Sequence, residues 1–386
     1  MIAEEHCGDV RLLDQHAGSW ERLCAESSSD EPFYRPDWIA AYLNAFEPGA
    51  SVVLATVKAK DRLLALLPLV NKRTLFCGLP ARMLQGPANA HSSRFDLLRA
   101  AGEEGSGAVS ALWTHLKQRK GWDVLELPLV AEGAAAEQLI GMAREDGYKI
   151  GHFESDHSPY VPLSPGVAPD QIPLNSHFRQ NLRRRMRKAR ASFEVRLRRI
   201  ENPEPADLSR FYDLENSGWK GRNNTAISSS ETTRRFYDQI ARTGSKHGYF
   251  TLYLMEFGDT LVGGHFGLVY KNRYYSPKVA YDESYSTYGP GHLIVLSILE
   301  DILPRGFQEF DFLGPWMDWK GEWTTKGRKH TFWYIFQRGL YGDALHAAKM
   351  KAEPVARQVV RRIRKAREER RMAAEPAAKQ AKEAGQ

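Results

Sequence analysis

The same order of secondary-structure signals is written twice along this chain, and a chain built that way is constrained to fold as two similar lobes. Residues 33–46 (FYRPDWIAAYLNAF) place apolar side chains at helical spacing. The stretch SVVLATVKAKDRLLALLPLV then reads as two strands around a polar turn at 58–61. A glycine-rich gap, a helix over 109–118 and the strand GWDVLELP (121–128) follow. The second half answers with a helix over 231–243 and a hairpin over 249–270 that turns at Phe257-Gly258-Asp259. A third strand over 273–282, a helix over 291–303 and the strand GFQEFDFLG (306–314) complete it. Agreement in the order of five elements predicts a duplicated unit.

With 386 residues, 42% hydrophobic and 26% charged, the chain suits a soluble protein of two domains. The boundaries read as an N-terminal lobe over 1–155, a linker and arginine-rich helix over 156–200, a C-terminal lobe over 201–345 and a basic helical tail over 346–386. The formal charge is +7, but the tail alone carries twelve Lys and Arg against five Asp and Glu. The rest is balanced, so overall basicity does not argue for nucleic acid. Cys7, Cys24 and Cys77 form no CxxC pair and no metal spacing, the acidic N-terminus lacks a secretion signal, and the longest apolar run (63–70) is too short to span a bilayer. A cytoplasmic protein without a metal is expected. In the tail, Val355, Val359 and Ile363 recur every four residues beside many cations. That pattern reads either as a solubilising helix or as an attachment to the anionic inner face of a membrane.

The stretch DESYSTYGPGHLIVLSILED (282–301) stops a tyrosine-rich segment at Gly289-Pro290-Gly291 and runs straight into an apolar helix. Proline suits the first turn, and glycine lets a ligand approach the backbone. Bare N–H groups at the positive end of a helix can hold an anion. The first half has its own glycine-rich stretch, AGEEGSGAV (101–109), but Glu103 and Glu104 would repel an anion there. The donor site is therefore expected in the second half.

This order of elements, ending in strand, glycine-rich turn, helix and strand, resembles the GNAT acyltransferase fold, and more closely the tandem GNAT group of CelD-type polysaccharide-biosynthesis proteins and FemABX relatives. The resemblance rests on PFYRPDWIAAYLNAF, LLALLPLV, NLRRRMRKA (181–189), ENSGWKG (215–221), YGPGHLI (288–294) and FDFLGPWMDWKGEW (310–323), and covers roughly residues 30–340. It implies an α/β (α+β) protein of two GNAT-like lobes, each a mixed, mostly antiparallel sheet flanked by helices, followed by a basic C-terminal helix. It also implies a coenzyme A pyrophosphate gripped by the segment Tyr288, Gly289, Pro290, Gly291, His292 and Leu293. The turn here offers fewer N–H groups than the fuller motif of ordinary GNAT enzymes, since Pro290 has none.

Acyl transfer needs a base for the nucleophile, a donor for the oxyanion and a proton for the departing thiolate. No G-x-S-x-G elbow is present, and the second half holds no cysteine, so direct attack is expected. His265, between Gly264 and Phe266, reads as the base or as a plain strand histidine. Tyr281 can protonate a thiolate and Asp282 can act as a base. Glu215 and Lys220, flanking Trp219, read as acceptor-orienting groups or as a surface ion pair. Asp311 and Lys320 read as a structural ion pair or as acceptor-binding groups, with Trp316, Trp319 and Trp323 as a stacking wall or as core.

Residues 178–199 hold ten Lys and Arg against Glu194 alone, with Phe178, Leu182, Met186 and Ala189 at helical spacing. One stripe packs while the arginines face outward to coenzyme A phosphates, an anionic glycan, a lipid-linked sugar phosphate or RNA. The expected function is transfer of an acyl group from acetyl-CoA or another acyl-CoA to an amine or hydroxyl of a sugar or envelope-polymer precursor. The alternatives are a FemABX-like aminoacyltransferase using charged tRNA, the one reading that involves nucleic acid, and a non-catalytic scaffold in polysaccharide biosynthesis.

Overall fold

The computed structural model describes residues 1–354 except 28, 156, 165, 167–170 and 173. The tail from 355 onward and part of the 156–174 loop lie outside the described residues. Two sheets carry the fold. The first runs β1 (Ile2–Gly8), β2 (Ser51–Ala59), β3 (Arg62–Phe76), β4 (Leu79–Gln85), β6 (Val124–Ala131), β15 (His330–Phe336), β7 (Lys149–Glu154), with β5 (Leu98–Arg99) beside β3. The second runs β14 (Gly327–Arg328), β8 (Ser158–Pro162), β13 (Glu309–Asp311), β12 (Arg273–Tyr281), β11 (Thr260–Tyr270), β10 (Phe250–Phe257), β9 (Val195–Ile200). Neighbours pair antiparallel except β4 with β6 and β12 with β13, which are parallel and hold equivalent places in the two sheets. The duplicated, mostly antiparallel class read from the sequence is the one the chain adopts.

The helices α1 (Leu12–Glu26), α2 (Pro36–Phe46), α3 (Gly102–Gln118) and α4 (Ala135–Glu145) belong to the first lobe. The second has α5 (Ser176–Ser192), α6 (Pro205–Ser217), α7 (Trp219–Arg222), α8 (Glu231–Lys246), α9 (Pro290–Ile302) and α10 (Asp318–Gly321). Finally α11 (Leu340–Ala347) returns to the first sheet. The stretch 101–109, expected as a turn, lies almost wholly inside α3. Glu103 and Glu104 sit in its first turn, where the helix dipole favours negative charge.

Sheet membership does not follow the division of the sequence at 155 and 345. The linker strand β8 pairs with β13 in the second sheet, and β15 returns to lie between β6 and β7 in the first. One apolar core joins the lobes through α2 and α8. Trp38 meets Phe236 edge-on at 5.4 Å and Phe33 meets Tyr275 at 5.6 Å. A second core fills the other face of the second sheet, where Phe178, Leu182, Met186 and Ala189 of α5 pack toward Leu293 and Ile298 of α9. The stripe predicted for α5 is thus buried. The start of the basic tail is not a purely solvated helix: His346 packs on Phe336 at 5.2 Å, and Lys349 Nζ lies 5.0 Å from the Tyr334 ring centre.

Candidate active site

The second sheet opens beside β12. Only Arg273, Tyr274 and Tyr275 pair with β13, while β12 itself runs on to Tyr281. A bulge across Ser276 and Pro277 shifts the register against β11. Proline lacks an N–H, so it suits a strand that has no neighbour to pair with on one side. Past the bulge, Asp282 N–H donates to Val262 O on the β11 side. Strand alternation then turns the backbone groups of Val279 and Tyr281 away from β11, toward the gap. The gap therefore presents unpaired peptide N–H groups beside the start of α9.

Around it stand several charged side chains. The Glu215 side chain is fully buried. It accepts from Lys220 Nζ at 2.9 Å and from the Ile227 N–H at 2.8 Å, with Lys278 Nζ at 3.8 Å. Burial lowers the Lys278 pKa although Glu215 opposes this. Lys220 also donates to the Val279 carbonyl at 2.6 Å, inside the gap. The pair is therefore not the weak surface bridge that was one of its two readings. Across the gap, Leu313 and Gly314 both have left-handed backbone (φ 52° and 57°), and Lys320 Nζ holds this turn by donating to Leu313 O at 2.7 Å and Pro315 O at 2.9 Å. Burial brings Lys320 down to about 8, with Asp311 opposing and Lys220 adding to the shift.

Asp311 is not ion-paired with Lys320. It is fully buried and receives the guanidinium groups of Arg94, from the first lobe, and of Arg328 at 2.8 Å. Arg94 reaches on to both oxygens of Glu31 at 2.8 and 2.9 Å, and Arg328 to Glu309. Burial opposes the Asp311 charge, but Arg94 and Arg328 outweigh it and hold its pKa below the ordinary value. Nothing in the sequence pointed to Arg94 or Arg328, which lie 217 and 17 residues from Asp311.

The remaining candidates divide. His265 is sealed inside the sheet at 0% exposure, with Nδ1 against Ser276 Oγ at 3.1 Å, and burial drives it down to about 3. It cannot serve as a base for a bound substrate. The room beside it is already used, since a Cβ on Gly264 would stand 2.6 Å from Phe211. Asp282 spends Oδ1 on capping the turn at Glu283–Tyr285, accepting from Ser284 N–H and Oγ. Tyr281 and Trp219 are exposed beside the gap and Trp316 is exposed against Gly321 and Gly327, whereas Trp323 is buried and donates to His292 Nδ1, and Trp319 packs on Phe312. Leu293 and Pro290 belong to the core. At the start of α9, Gly289 is left-handed (φ 67°), the His292 and Leu293 N–H groups turn back to the Gly289 carbonyl, and Tyr288 packs edge-on against Phe193 and Phe257. Gly291 faces the Tyr281 ring, and a Cβ on Gly289 would stand 2.5 Å from Arg185 Nη1. The cradle is thus narrower than expected, and a guanidinium stands over it. The six-residue segment supplies one open amide, that of Gly291, rather than a loop of them.

Residues 176–321 match the acetyltransferase (GNAT) domain family. Over that stretch the chain is similar to GNAT acetyltransferases. Solved structures extend the likeness to both lobes. FemX is 10% identical, with a TM-score of 0.59 over 89% of this chain and 98% of that one. L-PGS from Bacillus licheniformis is 10% identical, with a TM-score of 0.52 over 86% and 96%. A C-terminal domain named for lysylphosphatidylglycerol synthetase in Agrobacterium fabrum is 10% identical, with a TM-score of 0.51 over 88% and 96%. At that identity the likeness is one of fold, and it extends over both lobes. No sequence among the curated proteins matches the chain. No helix among the described residues is long and apolar enough to cross a membrane.

Proposed function

We propose that acyl transfer takes place in the gap between β12 and β13, from acyl-CoA to an amine or hydroxyl acceptor. One observation carries the reading: the unpaired peptide N–H groups of Val279 and Tyr281 face the gap, next to a helix N-terminus over which Arg185 stands with no hydrogen bond or ion pair to any described residue. A guanidinium at the positive end of a helix is unfavourable on its own and becomes favourable once an anion joins it. Arg185 and the Gly291 amide fit the diphosphate of coenzyme A, which would supply the activated thioester. In the gap, the N–H groups of Val279 and Tyr281 are aligned to receive the oxyanion. Lys320 takes the proton of the attacking group as the carbon–sulfur bond breaks and the new carbon–nitrogen or carbon–oxygen bond forms. The exposed Tyr281 hydroxyl protonates the thiolate. Lys220 must give up the Val279 carbonyl to admit the donor.

A thermal-shift panel tests the donor. Acetyl-CoA, longer acyl-CoAs and free coenzyme A at about a hundred times their Kd should each stabilise the protein by about 2.7 kcal/mol through mass action. Arg185→Glu should remove that shift. Equal shifts in wild type and variant would refute the placement. Lys320 gives a second expectation. With its pKa near 8, the rate of transfer to a saturating acceptor should rise through pH 8 as the amine loses its proton, and Lys320→Met should lose that limb and about 100-fold or more in rate. A profile of Lys320→Met that keeps the limb would assign the base elsewhere.

The runner-up donor, an aminoacyl-tRNA, draws on a different observation. The arginines of β9 are matched to acids, Arg196 with Asp259, Arg198 with Asp207 and Arg199 with Asp301, whereas α5 contains no acid at all. A groove of about 710 Å³ between α5 and α9 is lined by Arg179, Arg187 and Arg190. Steep weakening of donor binding with salt would favour this reading, and gentle weakening the coenzyme A one.

A further inference from the structure

Behind the transfer gap lies a separate recess between the lobes, a cleft of about 310 Å³ walled by Asn89 and Ser93 of the first lobe, by Ser155 and Ser158, and by Gly314 and His330. Leu129, Pro315 and Phe332 supply its apolar surface. No lining residue carries a carboxylate, an ammonium or a guanidinium, although Arg94, Asp311 and Arg328 lie directly behind Ser158 and pair with one another there. The cleft shares its Gly314–Pro315 edge with the gap, since Lys320 holds the Pro315 carbonyl from the other side.

His330 is the feature without a structural explanation. Its side chain is 3% exposed, and its Nε2 has no hydrogen-bond partner. Burial keeps the ring neutral, and in the tautomer protonated at Nδ1, Nε2 is a bare acceptor in the cleft wall. A buried acceptor left unmet is costly, and no described residue donates to this one. A ligand hydroxyl would. An ammonium would find no counter-ion in this wall, whereas hydroxyl and amide groups beside apolar and aromatic surface suit a compound that has hydroxyls around C–H faces.

We propose that this cleft is the acceptor pocket, that it takes an uncharged compound of the monosaccharide class, and that His330 Nε2 receives a hydrogen bond from one of its hydroxyls. The proposal rests on the acyl-transfer reading for the word acceptor, but binding itself does not need the donor. Saturation-transfer NMR on the full chain, without any donor, should detect N-acetyl-D-glucosamine and D-glucose and respond more weakly to the cationic D-glucosamine. Ser93→Trp should abolish the signal by filling the cleft. His330→Phe, which keeps the ring and removes the acceptor, should weaken binding about tenfold, the size of one hydrogen bond. Circular dichroism checks that both variants are folded. The pocket is overturned if neither uncharged sugar binds wild type, or if both folded variants bind as wild type does. Thiol release from acetyl-CoA by the wild-type protein reports separately on the donor reading, so either half can fail alone.

Discussion

Between pH 6.5 and 5 the protein should lose stability steeply, because folding holds four histidines neutral. Burial is the main cause in each case: it drives His265 and His330 down to about 3, and His91 and His292 to about 4. In the unfolded chain each titrates near about 6.5. These are bases with depressed folded pKa values, so the unfolded chain binds protons that the folded chain refuses. Their stabilising effect is complete above the unfolded value and is lost as pH falls toward the folded one. Asp96 works the other way. Burial raises it to about 7 despite the Leu97, Ala135 and Ala136 amides that donate to it, so the folded chain keeps a proton that the unfolded chain releases. Four histidines against one aspartate leave a net uptake of about three protons on unfolding, a slope of at most about 4 kcal/mol per pH unit. Denaturant midpoints measured at pH 7, 6 and 5 check this, and a flat series would mean that these rings are solvated or already charged in the native state.

The second large effect lies at Arg94. Its side chain is fully buried and ties Glu31, ahead of α2, to Asp311 of the second sheet. Arg94→Met deletes one cation from a buried network that keeps both carboxylates, and the expected cost is about 3–5 kcal/mol, the range for breaking a buried pair by removing one partner. Arg94→Lys should rescue little, because one ammonium cannot span the two carboxylates that a guanidinium reaches with its two terminal nitrogens. Equilibrium unfolding reads both. A loss below about 1 kcal/mol, typical of a surface pair, would show that water reaches these groups. The contact crosses from the first lobe to the second, so its loss should also spread to the interlobe cleft and reduce sugar binding there.

Much of the fold was legible locally. The hairpin β10–β11, the strand β12, the helix α8 and the start of α9 at Gly289-Pro290 follow from alternation, helical spacing and turn chemistry within about twenty residues. The arginine-rich helix and its buried stripe were equally readable. The candidate site was legible in part. Glu215, Lys220, Trp219, Tyr281 and Lys320 do lie around one gap, because each lies on or next to a sheet strand or the helix ends beside it. His265 and Leu293 were misplaced for one physical reason. Period-two and period-3.6 patterns say that a residue faces one side of its element, but not whether that side meets a ligand, a helix or Phe211.

What the sequence by itself determined is therefore the duplication, the element order and the positive helix end after a tyrosine-rich strand, since these depend on backbone preferences and on neighbours a few positions away. Only the tertiary structure decided that β8 and β15 change sheets, that Asp311 is neutralised by Arg94 and Arg328 rather than by Lys320, and that His330 Nε2 is left without a hydrogen-bond partner in the wall of a neutral cleft. Each of these joins residues that are remote in the chain, and their pairing is set by which surfaces the two sheets bury together.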